Sequence, residues 1–459
     1  MDSKTKSFLL GTGLLIAAVL AFFFLAYKPT HSESQVLTIY CWDNTFREVL
    51  AKNYPAYDPV RERIGTVTVK WIIYPDLNSV YQTELDQVLK QQPVLDSEHR
   101  VDIFLAEADY IRKYTGTDKY ALSLAELGIT EDELAEHFPY TRQAARDELG
   151  IERGISYQAT PGVMLYRRDM AKEIFGTDDP AKVQELFDNW SKFEQASDQV
   201  KAAGGTMLGG FFDTYRVFSS SRHTSWLNGA EITMGPSLAA WVNQTQKFAS
   251  EGKLLPNELW DPEWSKAVRS GRTFAFFGPA WFIDDAFILS SLKTPLSEGG
   301  ALTEGNGTFG KWGACEGPEP FFWGGTWICA AQGTDNKELI ADIMRTLCCN
   351  DDTARQMCSG DKLSFVNNRA VMRERAQDKE AGLSFLAGQN PYGIMADVAE
   401  KVPDPVRQMT PYDQGLHEMF RLSCTPYFRR QESWNQVWQR FLATVWLLYP
   451  ELQDAASLQ

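Results

Sequence analysis

Histidine is scarce, five residues in 459, and the seven cysteines (Cys41, Cys315, Cys329, Cys348, Cys349, Cys358 and Cys424) contain no CxxC pair and no Cys/His spacing. That argues against a structural zinc site, so no metal and no cofactor is expected. An odd number of cysteines leaves at least one unpaired. The adjacent Cys348 and Cys349 could not both bridge outward, and most of the set is expected to serve as small core residues. No basic run occurs, and 45 Lys plus Arg face 60 Asp plus Glu for a net charge of −15. Binding a phosphate backbone needs clustered cations, so nucleic acid is not an expected partner. Low-complexity tracts and internal repeats are also missing, which removes disordered, collagen-like and solenoid architectures.

What is present is a globular composition, 44% hydrophobic and 13% aromatic, enough for two or three ordinary domains with substantial cores. The N-terminus supplies Lys4 and Lys6, then residues 7–27 carry no charge. That is the length a membrane helix needs and longer than the usual apolar region of a cleaved signal. Positive charge ahead of it keeps the start cytoplasmic and sends the remainder outward. Phe24 before Ala26 spoils a small-x-small cleavage site, and no cysteine follows closely enough for acylation. An uncleaved membrane anchor and an atypical cleaved signal both stay open. Either places the body outside the cytoplasm.

From Gln35 the pattern alternates strand and helix. Val36–Cys41 predicts a strand, and DNTFREVL predicts a helix opened by Thr45 and Glu48 in capping-box spacing. Residues 67–74 predict a second strand and 101–106 a third, with Leu77, Val80, Tyr81, Leu85, Val88 and Leu89 at helical spacing between them. Strands joined by helices imply a parallel sheet with right-handed crossovers. A second alternating block begins near Gly154 with short strands in ISYQAT and GVMLYRR, a strand in TMLGGFF, and another in TFAFFGPAWF that ends where Pro279 opens a helix. Asp335 and Glu338 stand at N-cap and N3 spacing before a stripe of Leu339, Ile340, Ile343, Met344 and Leu347. The tail from 402 to 452 is helical and aromatic.

One segment raises a question. FFWGGTWICAAQG, residues 321–333, has the composition of a buried strand, yet Gly324 and Gly325 interrupt it between Trp323 and Trp327. Strand glycines mark a bulge or a close backbone approach. The functional reading puts a ligand or another part of the chain against this backbone. The plain reading is a bulge with both indoles in the core.

These segments, in this order, resemble the extracellular solute-binding proteins of bacterial ABC importers, family 1, the maltose-binding type. The likeness runs from about Val36 to the C-terminal helices and rests on the ordered set. Its members are LTIYCWDN with VTVKWIIYPD, VDIFLAEADYIRKY, GISYQATPGVMLYRRDMAKEIFG, GRTFAFFGPAWF, WGGTWICAAQGTDNKELIADIMRTL and GDKLSFVNNRAVM. In the last of these, Phe365 or Val366 stands where the family has proline. The resemblance implies an α/β fold of the type II periplasmic-binding-protein kind. Two lobes would be joined by a multi-strand hinge, with ligand in the cleft and a transmembrane helix at the N-terminus. The expected division is 1–34 anchor or signal, 35–150 first lobe, 151–312 second lobe, 313–372 hinge return and first lobe, and 373–459 C-terminal helices of the second lobe. The implied partners are a sugar or oligosaccharide, the permease subunits of an importer, and the membrane; the chain is read as a monomer and not an enzyme.

Ligands in open α/β sheets bind beyond the carboxyl ends of the strands. That rule selects Trp42, Asp43 and Asn44, Tyr74 and Asp76, Glu107, Asp109 and Tyr110, Thr160, Asp213 and Tyr215, and Trp281. Trp323, Gly325 and Trp327 join them from the glycine segment, and Tyr412 resembles a late aromatic contact of the family. The set is rich in carboxylates and aromatics and poor in cations, which suits a sugar's C–H faces and hydroxyls. An anionic ligand needs Arg, Lys or a helix N-terminus instead. The alternative is a membrane-anchored extracellular glycoside hydrolase, which needs two carboxylates facing one bond. Glu107 with Asp213, or Asp284 with Asp285, are the candidate pairs.

Overall fold

The structure, a computed structural model, describes residues 35–457 apart from Asn78, His223, Ala230, Asp361 and Arg407. The uncharged 7–27 segment lies outside the described residues. Among those that are described, no helix is long and apolar enough to cross a membrane.

In chain order the strands begin with β1 (Val36–Cys41), β2 (Tyr57–Asp58), β3 (Arg63–Ile64), β4 (Val67–Ile73), β5 (Ile103–Glu107), β6 (Ile155–Ser156) and β7 (Pro161–Arg167). They continue with β8 (Thr206–Leu208), β9 (Leu227–Asn228), β10 (Glu231–Ile232), β11 (Thr273–Gly278), β12 (Trp312–Cys315), β13 (Phe321–Phe322) and β14 (Thr326–Ala330). One sheet has the order β2-β3-β4-β1-β5-β14-β6, and a second has β12-β7-β11-β8 with β13 added on β7. As the pattern of strands and helices implies, β1 pairs parallel with both β4 and β5. β14 returns antiparallel to β5, placing Thr326 opposite Glu107.

Alternation along the strands sorts side chains into three cores. Leu37, Ile39, Ile103 and Leu105 face one side of the first sheet. Met164, Tyr166, Ala275 and Phe277 face one side of the second. The opposite faces share a core that is continuous from Phe104 and Ala106 through Trp327 to Val163, Leu165 and Phe276. The seven cysteines are free thiols, six of them buried, as expected of small core residues.

The chain passes between the sheets at 157–160, after β6, and again at 323–325, before β14. A third link runs beside the first: Ala159 N donates to Phe365 O (3.2 Å) and Asn367 N donates to Tyr157 O (3.0 Å). The residues that stand in place of the family's proline thus form a short antiparallel pairing, Gln158 with Val366. These passages fall later than the expected junctions at 150/151 and 312/313. Apolar β6 still pairs with β14, and β12 still pairs with β7.

Two expected caps are replaced. At the helix Thr45–Asn53 the N-cap is Asn44, and Asp43 Oδ1 accepts from Thr45 N (2.8 Å), so the Thr45/Glu48 box does not form. Before the helix Lys337–Met344 the N-cap is Asn336, whose N–H donates to Thr334 Oγ1, while Asp335 pairs with Arg100 at 3.0 Å.

Candidate functional site

The carboxyl ends of β1, β4 and β5 deliver Trp42 and Asp43, Asp76, and Glu107 and Asp109 to one edge of the first sheet. Facing them, the turn after β11 carries Trp281, and the helix Tyr215–Ser220 carries Arg216. Gln414 and Glu418 come from the helix Asp413–Phe428, packed on the second sheet's core. Tyr157, Gln158 and the Trp323–Thr326 stretch close the back where the chain crosses. Together these residues line a cavity of about 440 Å³. A second cavity of about 360 Å³ adjoins it, sharing Thr45, Tyr157, Gln158 and Trp281.

Three indoles serve this cleft. Trp281 donates Nε1–H to Trp323 O (3.1 Å), and the two rings meet edge to face at 4.9 Å. Trp42 is set edge-on to Tyr81 at 5.6 Å. The double glycine now has a physical account. Gly324 and Gly325 have φ of +74° and +122°, conformations that side chains resist. A Cβ on Gly324 would also come within 3.2 Å of Trp281 Nε1 and 3.5 Å of Glu107 Oε1. The backbone approaches the cleft wall as closely as it can, and both glycines line the cavity.

Asp109 and Arg216 form a two-pronged ion pair across the cleft, Nη1–Oδ1 2.8 Å and Nη2–Oδ2 2.7 Å. Gln414 N adds a bond to Asp109 O at 3.1 Å. Burial alone would raise the Asp109 pKa, but the guanidinium's charge and hydrogen bonds overcome it and hold the carboxyl well below its usual range. Glu107, which accepts from Asp109 N, is pushed well up by burial and then by the Asp109 charge. Asp76 is pushed up to about 6, chiefly by burial, with the charges of Glu418, Asp109 and Asp43 adding to it and the Gln414 amide opposing.

A raised carboxyl contributes stability that is complete below its unfolded value and lost as pH rises through the folded one. For Asp76 the window runs from 3.8 to about 6. At about 1.4 kcal/mol per pH unit the loss is on the order of 3 kcal/mol. Asp76→Asn is therefore expected to melt later than the wild type at pH 7.5 and equally at pH 4. Melting curves across that range check it; a constant difference between the two proteins at all pH values contradicts the assignment.

Of the residues selected from sequence, Trp42, Asp43, Asp76, Glu107, Asp109, Trp281, Trp323 and Gly325 line the first cavity, and Thr160 lines the adjoining one. Thr160 Oγ1 donates to Gly324 O at 2.8 Å, which fixes the glycine turn. Seven others lie elsewhere, Tyr110 and Tyr215 among them as fully buried core residues. Asn44 is spent as an exposed helix N-cap. β4 ends before Tyr74, which packs near Tyr40. Asp213 is buried away from the cleft, accepting from Gly209 N, Gly210 N and Trp264 Nε1. Trp327 is core, its Nε1–H donating to Thr141 O (2.8 Å). Tyr412 packs edge-on against Tyr449, and its neighbours Gln414 and Glu418 face the cleft in its place. The site also gains Gln158 and Arg216. With Asp213 removed, its pairing with Glu107 as two hydrolytic carboxylates does not exist.

A family model, described as "Bacterial extracellular solute-binding protein", matches residues 66–381, more than half of the chain. The chain belongs to that family. No curated protein sequence matches it. Among solved structures, an extracellular solute-binding protein family 1 member superposes with a TM-score of 0.70 at 18% identity, covering 92% of this chain and 99% of its own. The ABC transporter associated binding protein of B. animalis subsp. lactis Bl-04, in complex with β-1,6-galactobiose, gives 0.62 at 13% identity, with 92% and 98% covered. The sugar-binding protein MalE from Xanthomonas citri gives 0.65 at 12%, with 92% and 100% covered. At such identities these likenesses establish the fold. As a solute-binding protein, this chain has its cleft at the place where the three connecting segments cross.

Proposed function

We propose that this solute-binding protein captures a sugar or oligosaccharide between its two α/β lobes and delivers it to the permease of an ABC importer, without chemical turnover. The observation that carries the reading is the cleft wall itself. The indoles of Trp42, Trp281 and Trp323 stand beside Asp43, Asp76, Glu107, Gln158, Gln414 and Glu418. Indole faces match the C–H faces of pyranose rings, and planar acceptors match vicinal hydroxyls. The neighbours that hold galactobiose or are named for sugars support the class. In this reading each lobe centres on one sheet, the passages at 157–160, 323–325 and 365–367 act as the hinge, and closure brings Arg216 onto Asp109. Residues 7–27 hold the body at the outer face of the cell membrane.

A thermal-shift screen over mono- and oligosaccharides tests the ligand class. A sugar at 100 times its dissociation constant is expected to stabilise the protein by about 2.7 kcal/mol. Release of new reducing ends from that sugar contradicts the non-catalytic reading in favour of a hydrolase. Protease applied to intact cells is expected to remove the body, and survival of residues beyond Gln35 contradicts the orientation.

A further inference from the structure

We infer that the ligand carries a cation, a protonated amine on a polyhydroxylated body, which docks against Glu107 and Asp76 in the cleft. The inference rests on the carbohydrate reading and narrows it.

Charge makes the first argument. Among the described residues, five carboxylates line the cavity, Asp43, Asp76, Glu107, Asp109 and Glu418, against one cation, Arg216. Arg216 spends both terminal nitrogens on Asp109. Glu418 has the charge of Arg421 near it. Asp43, Asp76 and Glu107 are left: Asp43 accepts from Thr45 N, Glu107 from Asp109 N, and Asp76 has a long contact of 3.4 Å from Gln414 Nε2. Among the described residues none of the three is in an ion pair. Burial raises both Asp76 and Glu107, neighbouring carboxylate charges add to it, and at Glu107 the Arg216 charge offsets only part of the rise.

A second, independent observation points the same way. Gln414 is only 8% exposed, and its Oε1 is buried on the cavity wall with no protein hydrogen-bond partner. It asks for a donor from the ligand. An ammonium offers three N–H donors and a charge, and hydrogen bonds to carboxylates are stronger when charged. The face of Trp281 adds favourable surroundings for a cation, while that of Trp323 already carries the Arg216 guanidinium at 5.6 Å. A uronic or sialic acid, by contrast, would add a further anion to a wall whose one guanidinium among the described residues has both terminal nitrogens on Asp109.

The test is calorimetric titration of the full-length protein with mono- to tetrasaccharides of 2-amino sugars. Each is supplied as the free amine and as its N-acetyl counterpart, with glucuronate oligosaccharides and spermidine alongside. The free amine is expected to bind at least tenfold more tightly than the N-acetyl form of the same length. That ratio is expected to shrink as NaCl is raised from about 0.05 to about 0.5 M, since salt screens charge pairs. The ratio is also expected to collapse toward one in Glu107→Gln and, separately, in Asp76→Asn. N-acetyl or uronate forms binding as tightly as the amine overturn the cation and leave the carbohydrate reading standing. Spermidine binding with no sugar bound overturns the carbohydrate reading and keeps the cation. Silence across the whole panel overturns both. A salt-independent ratio on the wild type overturns the inference even if the variants do not fold.

Discussion

Arg216→Ala is expected to open the protein in the absence of ligand. Arg216 and Asp109 sit on opposite sides of the cleft, and each side chain is only 16% exposed. Removing one partner of such a pair leaves an uncompensated buried charge, a cost of roughly 3–5 kcal/mol. Within a rigid body that cost would appear as lost folding stability. Across a hinge the chain has a cheaper escape: the lobes part and Asp109 is hydrated. A bias of about 3 kcal/mol shifts an open–closed equilibrium more than a hundredfold. Small-angle scattering of unliganded Arg216→Ala is therefore expected to give a larger radius of gyration than the wild type, with a melting temperature close to it. An unchanged radius with a sharply lower melting temperature contradicts hinge opening and makes the pair an ordinary structural contact.

Trp327→Ala is expected to lose stability. The indole is 1% exposed in the core that runs between the sheets, and its N–H satisfies the buried Thr141 carbonyl. Truncation of a core tryptophan costs about 3–5 kcal/mol. For a protein of this size the melting temperature should fall by about 5 °C. Trp281→Ala is the contrasting case. It is half-buried at the cleft, so the expected loss is roughly 1–3 kcal/mol of binding with folding nearly intact. Measuring affinity and unfolding free energy for both variants separates the roles, and a well-folded Trp327→Ala that cannot bind contradicts the core assignment.

The two tryptophans show where sequence reasoning stops. In a regular strand residues 323 and 327 are four apart and share a face. Here two glycines with positive φ intervene, so the period is broken and one indole turns to the cleft while the other enters the core. Nothing in the one-dimensional pattern says which. Strand ends were legible where alternation was strong, so Trp42, Asp43, Glu107 and Asp109 could be placed from β1 and β5. Asp213 stands at a strand end by the same rule yet does not reach the cleft, because the short loop after β8 folds back and its amides capture the carboxylate. Arg216 lies one residue past Tyr215, which was selected, yet its role depends on a partner 107 positions away. Gln414 and Glu418 carry the i, i+4 spacing of one helix face. That this face meets the first sheet is decided by tertiary packing of the C-terminal helix.

The central claim is that the cleft binds a carbohydrate without turning it over. Isothermal titration of the wild type and Trp281→Ala with the sugar that stabilises the protein most tests it directly. The account predicts saturable one-to-one binding in the wild type, binding weaker by roughly five- to a hundredfold in the variant, and the sugar recovered intact. Equal affinity in the two proteins, or a continuing heat from consumption of the sugar, would contradict it.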